Sequence, residues 1–231
     1  MLLVASPLFL LIALGAAGAI ALGAWWFSPY QQTLRAIRAA PLVRVADAPD
    51  GQLVRIVGTL RAGPRTLDAP LSHRTCAAYR VEVDVRVSTG KSSSWRSLIR
   101  DRESVDFVVE DETGRAIVKA LQLEPAIVLD HHQRSGTWND ATPELDAYLA
   151  RHGHSSTDFF GFNKGVRYQE GALEPGETVA ILGLARWEDD PHPGAAQGGA
   201  GYRETARKKR LVIEPSALGP VRASDDPAVL S

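Results

Sequence analysis

Residues 69–87, APLSHRTCAAYRVEVDVRV, decide the fold. This stretch opens with a Pro-Leu-Ser turn, contains the only cysteine of the chain, and continues into a segment where valine alternates with charged residues. Side chains two positions apart lie on the same face of a β-strand, so the valines share one face and Glu82, Asp84 and Arg86 share the other. The pattern predicts a half-buried strand in an antiparallel sheet with one solvated face.

Other segments rich in branched residues predict strands that could join the same sheet. These segments are 53–60, 104–110, 116–121, 168–170, 178–187 and 209–214. The turn Asp-Glu-Thr-Gly at 111–114 joins two of them into a hairpin. Polar or Gly- and Pro-rich composition predicts a hairpin loop at 88–97, a flexible loop at 188–201 and a weakly structured tail from Pro215 onward.

Two short helices are predicted beside these strands. Residues 31–40 have helical propensity and stop at Pro41, while 143–152 follow a capping Thr142 and end at Gly153. Six or seven short strands without a strand–helix alternation favour a mainly β chain. We therefore expect an antiparallel, partly closed barrel or sandwich with one or two short helices.

The N-terminal residues predict a membrane anchor. Residues 8–27, LFLLIALGAAGAIALGAWWF, contain no charge, and at about 1.5 Å per residue a helix of this length spans roughly 30 Å, the thickness of a bilayer core. No Lys or Arg precedes the run, which favours a retained helix over a cleaved signal peptide. Arg35, Arg38 and Arg44 follow it, so the positive-inside rule predicts a single-pass protein whose β domain is cytoplasmic.

Gly15, Ala19 and Gly23 lie on one face of this predicted helix, where a stripe of small residues could form a homodimer seam. The alternative is chance, because Gly and Ala are common throughout the run. The predicted organisation is an anchor at 1–30, a juxtamembrane helix or linker at 31–48, a β domain at 49–226 and a tail at 227–231.

Composition excludes several classes of function. The 26 basic and 27 acidic residues nearly cancel, so no net field attracts nucleic acid, and we expect no nucleic-acid partner. A single cysteine excludes an intrachain disulfide and a zinc module with several cysteine ligands.

Cys76 with His73 three residues earlier could form a nucleophile and base. The sequence has no signature of the third orienting group or the oxyanion site that such chemistry requires. The alternative is that Cys76 is a small buried residue at the start of a core strand. We assign no catalytic residue and no cofactor.

Histidine pairs offer a second chemical hypothesis, a metal site, because His-x-His spacing places two rings on one strand face. The candidate ligands are His131, His132, His152, His154, Asp130 and Asp158. They lie in the least regular part of the sequence, where solvated histidines are ordinary, and we assign no metal.

One dense basic cluster, Arg-Lys-Lys-Arg at 207–210, could contact anionic lipid or could be a solvated approach to a strand. Tyr79 and Arg80 are interpreted as structural. Tyr79 would join the valine face, and Arg80 would pair with an acid such as Glu82 or Glu170.

The order of these segments resembles the GIDE domain, also called BAM ("beside a membrane"), over roughly residues 50–226. The family pattern is a strand ending in Gly, then Pro-Leu-Ser, a Cys, Tyr-Arg before an alternating strand, an F-x-x-x-D-x-x-G hairpin, and an E-x-x-L-x-x-G-E strand. The matching residues are Gly58, Pro70, Leu71, Ser72, Cys76, Tyr79, Arg80, Phe107, Asp111, Gly114, Glu170, Leu173, Gly176, Glu177 and Gly183. The segment RASDD near the end of the sequence resembles the family's terminal I-S-D segment.

The resemblance implies a relation to eukaryotic ubiquitin ligases of the mitochondrial outer membrane, in which a RING finger follows the domain. A RING needs about eight Cys and His ligands, whereas these 231 residues contain one cysteine, so ligase activity is not expected. A second transmembrane helix of the family is also not found after Asp190. The chain resembles the shorter prokaryotic members, and we expect a membrane-anchored module that binds an unidentified protein or scaffolds a complex. The alternative is a hydrolase-like or metal-dependent enzyme that uses the cysteine or the histidine pairs.

Overall fold

The fold is built on a closed five-stranded barrel, to which the other elements are attached. The computed structural model describes residues 18, 22–24, 26–88, 92–135, 142–154, 165–190 and 209–231. In chain order the strands are β1 (Leu53–Arg61), β2 (Leu67–Asp68), β3 (Thr75–Cys76), β4 (Ala78–Ser88), β5 (Ser93–Ser104), β6 (Phe107–Asp111), β7 (Gly114–Val118), β8 (Leu123–Ala126), β9 (His131–Ser135), β10 (Val166–Leu173), β11 (Thr178–Asp189), β12 (Lys209–Glu214) and β13 (Val221–Ser224). The helices are α1 (Pro29–Ala39) and α2 (Pro143–Arg151), with 3-10 turns at Val45–Asp47 and Pro227–Val229.

The barrel closes in the order β1-β6-β7-β12-β11 and back to β1. Strands β7 and β12 are parallel, and the other neighbours are antiparallel. This is the strand order of a five-stranded Greek-key barrel of the OB type. Alternate residues of β1, among them Val54 and Ile56, point inward and pack with Phe107, Ile181 and Ile213 in the main core.

Two long insertions in the barrel connections build a second sheet in the order β5-β4-β10-β9. The first insertion, between β1 and β6, supplies β4 and β5, and the second, between β7 and β11, supplies β9 and β10. Leu145, Tyr148 and Leu149 of α2 pack on one face of this sheet, against the predicted valine face of β4. The second sheet is therefore assembled from parts of the chain that are far apart in sequence.

Helix α1 packs against the outside of the barrel. Ser28 caps it by accepting a hydrogen bond from the backbone N–H of Gln31 at 3.3 Å. Leu34 and Ile37 are buried in a cluster that also contains Leu182 and Val229. The helix is thus an integral part of the domain and is not a free linker.

The C-terminal residues also contact α1, through side chains of the helix. The guanidinium of Arg38 donates two hydrogen bonds to the carbonyl oxygen of Ala228, at 2.7 and 3.0 Å, and the Tyr30 hydroxyl donates to Asp226 at 2.7 Å. The tail is therefore ordered by α1, and the prediction of a weakly structured tail from Pro215 onward was wrong. Strand β13 and the fully buried Val229 lie within it.

The prediction of a mainly β chain with a barrel is confirmed, but six or seven strands were too few and the barrel is closed, not partly closed. The prediction of an antiparallel fold was wrong for two pairs, because β12 pairs with β7 and β13 with β8 in parallel. The predicted hairpin loop at 88–97 was wrong from Ser93 onward, because β5 begins there. Its sequence is polar because β5 is an edge strand whose first residues are exposed. The strand predicted at 104–110 begins at Phe107, since Ser104 ends β5, and β8 and β9 occupy the region predicted to be irregular.

No helix among the described residues is both long and apolar enough to cross a bilayer. Most of the predicted span, 8–27, lies outside the described residues, as do Gly15 and Ala19 of the predicted dimer seam. Within the span, residues 18, 22–24 and 26 are helical. Leu22, Trp26 and Phe27 are exposed by 69%, 52% and 70%.

Candidate functional site

A buried carboxylate holds the Pro-Leu-Ser turn. Glu170 on β10 is fully buried and accepts hydrogen bonds from the backbone N–H groups of Leu71 and Ser72, at 3.0 and 3.1 Å, and from the Tyr168 hydroxyl at 2.6 Å. All three partners are donors, which suits the acceptor-only chemistry of an ionised carboxylate. The motif at 70–72 is therefore fixed by a residue about a hundred positions later. Of the two acids considered as partners of Arg80, Glu82 is the one that binds it.

Arg74 closes the same turn from its solvent side. Its guanidinium makes two hydrogen bonds to Asp130, at 2.7 and 2.8 Å, and one to Glu174 at 2.8 Å. The bond from Arg74 holds the pKa of the Asp130 carboxyl below its usual range. His73 is exposed and has a positive φ of 54°, a conformation that non-glycine residues adopt at single tight turns.

Cys76 is fully buried below this turn. Burial, together with the nearby negative charge of Glu170, raises the pKa of its thiol to about 12. The thiolate is the nucleophilic form of cysteine, so the thiol is protonated and weakly nucleophilic near neutral pH. Within the part of the chain that the structure describes, no hydrogen bond or ring contact joins Cys76 to His73, so the geometry gives no support to a nucleophile–base pair.

The first histidine pair does not converge on one point. His131 and His132 are consecutive residues of β9, and consecutive side chains of a strand point to opposite faces. The His131 ring lies edge-on to Tyr168, with the centroids 6.5 Å apart, while Nδ1 of His132 is 3.2 Å from the side-chain nitrogen of Gln169.

The second pair lies at the end of α2. The His152 ring lies against Tyr148 in a tilted arrangement, with the ring centroids 4.6 Å apart, and its Nε2 is 3.6 Å from a carboxylate oxygen of Asp101. The backbone N–H of His154 bonds to the carbonyl of Leu149 at 3.0 Å and so helps to close the helix. Among the described residues, no group of three or more His, Cys, Asp and Glu side chains could hold a metal ion. Asp158, a predicted ligand, lies outside those residues.

The face of β4 that was predicted to be solvated is instead a network of ion pairs. Asp84 is only 2% exposed, because Arg100 and Arg167 on the neighbouring strands cover it, at 2.9 and 2.8 Å. Burial opposes ionisation of this carboxyl, yet the two guanidinium groups outweigh it and lower its pKa. Arg167 also lies over the ring of Trp95, 4.9 Å from its centroid.

At the other end of β4, this charged face opens into a cleft of about 530 Å³. We call it the arginine cleft, because its walls include four arginines, Arg80, Arg100, Arg102 and Arg222. These residues come from β4, β5 and β13, and the other walls are formed by β8 and by the start of α1, which contributes Tyr30 and Thr33.

Three of the four arginines have acidic partners. Arg80 bonds to Glu82, as predicted, Arg100 bonds to Asp84, and Arg222 lies 3.2 Å from Glu124 on β8. The fourth, Arg102, is exposed, and its side chain makes no hydrogen bond or ion pair with any of the residues that the structure describes. Asp101 and Glu124 are the only carboxylates among the described lining residues, while Glu82 and Asp84 lie beside the walls and pair with Arg80 and Arg100.

Sequence reasoning singled out only Arg80 of this cleft. The sequence does contain a pattern that points to the cleft. Arg80 and Glu82 are two positions apart, as are Arg100 and Arg102, so each pair lies on one face of its strand. Recognising the cleft also requires the register that puts Arg80 opposite Arg102, and that register depends on pairing within the folded sheet.

The family model GIDE, described as an E3 ubiquitin ligase, matches residues 78–197, more than half of the chain. The chain belongs to the GIDE family. The recognition made from the segment order is therefore confirmed. Comparison with curated proteins returned no significant match. Three of the cleft arginines, Arg80, Arg100 and Arg102, lie within the matched GIDE residues, whereas Arg222 and Tyr30 lie outside them.

Proposed function

We propose that this GIDE-family protein is a single-pass membrane protein whose β domain binds another protein at the membrane, without catalysis by the domain itself. Residues 8–27 would form the transmembrane helix, and Arg35, Arg38 and Arg44 favour a cytoplasmic β domain through the positive-inside rule. Because the chain contains a single cysteine, we do not extend ligase activity to these residues.

The main support for this proposal is the packing of α1 against the barrel. This helix begins two residues after the predicted span, and its Leu34 and Ile37, 5% and 0% exposed, are buried against the barrel. A helix packed in this way transmits the position of the anchor to the whole domain. The β domain would therefore be held in a defined orientation at the bilayer surface, which suits a docking module.

Exposed aromatic side chains next to α1 are consistent with a membrane surface at that end of the domain. Trp26 and Phe27 project large apolar surfaces just before α1. Trp is enriched at the headgroup level of membranes, where its amphipathic ring is favoured, and large exposed apolar residues in clusters, here Trp26 and Phe27, mark contact surfaces. The guanidinium of Arg35 lies 4.7 Å from the centroid of the Trp26 ring, a cation–π arrangement that suits this interface.

Extraction and protease protection test the anchor and its orientation. The full chain should stay in the membrane pellet at alkaline pH, and protease outside intact cells should spare the β domain. Release into the supernatant would overturn the anchor, and digestion outside cells would overturn the cytoplasmic orientation.

Capture of partners from detergent-solubilised membranes tests the binding function. The matched variants are Phe107→Ala, which removes a fully buried ring from the barrel, and Leu218→Ala, which truncates a side chain that is 82% exposed. The Phe107 change costs about 3–5 kcal/mol and should unfold the domain. A protein recovered with the wild type and Leu218→Ala, and lost with Phe107→Ala, would support binding by the β domain. Equal recovery with all three would contradict it, since the anchor alone would then be sufficient, and so would failure to recover any specific protein.

A further inference from the structure

The shape of the arginine cleft suits a small polar ligand. Its volume, about 530 Å³, lies within the range of small-molecule sites, about 300–1,000 Å³. It is closed on one side by the first turn of α1 and on the other by β4 and β5. The packing of α1 on the barrel keeps these walls in place, so the cleft is preformed.

The donors in the cleft suit an anion with several oxygen atoms. A guanidinium carries five N–H donors, and the ion pairs of Arg80, Arg100 and Arg222 use only some of them. Arg102 faces Arg80 across the β4–β5 pair and has no partner of its own among the described residues. Arginine binds phosphate through paired, charge-assisted hydrogen bonds. We propose that the arginine cleft binds a phosphate-bearing anion, and that its source is the headgroup of a membrane lipid.

The lipid source follows from the position of the cleft and rests on the proposed membrane anchor. Tyr30 lines the cleft only three residues after the end of the predicted span, so the cleft opens near the headgroup layer. A second cavity of about 340 Å³ shares Tyr30 and Arg80 with the cleft and is also lined by Glu82, Ile127, Val128 and Leu129. The three aliphatic residues give it an apolar side next to the cationic cleft, and that combination suits an amphipathic ligand better than free phosphate.

Titration calorimetry of the full chain in an uncharged detergent tests the cleft without requiring an inserted anchor. The four ligands are inorganic phosphate, dihexanoyl phosphatidic acid, zwitterionic dihexanoyl phosphatidylcholine and a glutamate-rich peptide. The variants are Arg102→Gln, Arg102→Lys and, as the matched control, Arg65→Gln, since Arg65 is also exposed and also unpaired among the described residues. Neither arginine supports the core, so these variants should fold, and thermal unfolding verifies this.

We expect phosphatidic acid to bind the wild type and Arg65→Gln equally, and phosphatidylcholine to bind at least tenfold more weakly. Loss of one charge-assisted contact should weaken phosphatidic acid binding about tenfold in Arg102→Gln, with a smaller loss in Arg102→Lys. Equal affinity for Arg102→Gln and the wild type would overturn the site. Binding of inorganic phosphate as tight as that of phosphatidic acid would overturn the lipid source, and binding of a glutamate-rich peptide in place of both phosphates would assign the cleft to an acidic protein. Failure of the anchor, in contrast, would be seen in alkaline extraction and would leave these titrations unchanged.

Discussion

The buried carboxylate of Glu170 makes the strongest prediction about stability. In Glu170→Gln, one carboxylate oxygen becomes an NH₂ group that faces a donor, either the N–H of Ser72 or the shared donors Leu71 and Tyr168. The change removes at least one hydrogen bond to a charged group, about 1.5–3 kcal/mol, and leaves a donor unsatisfied at about 1–3 kcal/mol. Since these two costs overlap, we expect a loss of about 3 kcal/mol in the free energy of unfolding.

The matched control is Glu103→Gln. Glu103 also accepts a hydrogen bond from a tyrosine hydroxyl, that of Tyr79 at 3.0 Å, but it is exposed and pairs with no backbone N–H among the described residues. Its amide oxygen can keep that bond in water, so we expect a loss of less than about 1 kcal/mol. Urea unfolding of the full chain in an uncharged detergent, followed by circular dichroism, measures both variants. A loss for Glu170→Gln no larger than that for Glu103→Gln would refute the role of Glu170 in holding the turn.

Three further predictions concern single residues. In Gly58→Ala, the new Cβ would lie 2.5 Å from the backbone oxygen of Glu110, so we expect the free energy of unfolding in the same urea assay to fall by about 1–3 kcal/mol. The control is Gly114→Ala, which should lose less stability because the nearest atom to its Cβ is a side-chain carbon at 3.2 Å. Burial raises the pKa of Asp225 to about 6, above the unfolded value of about 3.9. The stability that protonated Asp225 contributes is therefore complete below the unfolded pKa and is lost as pH rises through 6. Asp225→Asn should therefore be more stable than the wild type at neutral pH, with the gap closing in thermal unfolding below about pH 4, and a gap independent of pH would contradict this. The Cys76 thiol, buried and with a raised pKa, should resist iodoacetamide until the protein is unfolded, as a mass shift would report, and rapid labelling of the folded chain would contradict its burial.

Elements with strong local signals could be predicted from the sequence. Strand β12 has the bounds expected from its run of branched residues, and α2 follows the expected Thr142 cap, whose hydroxyl accepts from the Leu145 N–H at 3.3 Å. The hairpin of β6 and β7 forms around its predicted turn, where Asp111 accepts the N–H groups of Thr113 and Gly114. Each signal lies within a few residues, so no tertiary information is needed.

The missed strands depend on distant partners. Strand β8 has four residues including a proline, and β13 has the sequence VRAS, whose alternation extends over only four residues. They form because β13 pairs with β11 on one side and with β8 on the other. Short strands of this kind are stabilised by pairing within the sheet, not by their own composition.

The alternation in β4 predicted its valine face correctly and its charged face incorrectly. Period two assigns Asp84 to the exterior, but it cannot indicate that Arg100 and Arg167 will stand on the two neighbouring strands. Arg167 lies directly opposite Asp84 on β10, and Arg100 reaches Asp84 from its position opposite Glu82 on β5. The candidate cleft was missed for the same reason, since charges become a site only when the strand register is known.

The two insertions make the domain one folding unit that extends beyond its most recognisable residues. The residues matched by the GIDE family, 78–197, contain β4 to β11 but omit β1 and β12. The barrel cannot close without those two strands, because β1 joins β6 to β11 and β12 joins β7 to β11. The second sheet is in turn tied to the turn at 70–72 through Glu170, which also lies across the boundary of the match. The structural domain therefore begins at least at α1 and includes the C-terminal residues that hold that helix, so α1, the arginine cleft and the barrel belong to one folded unit.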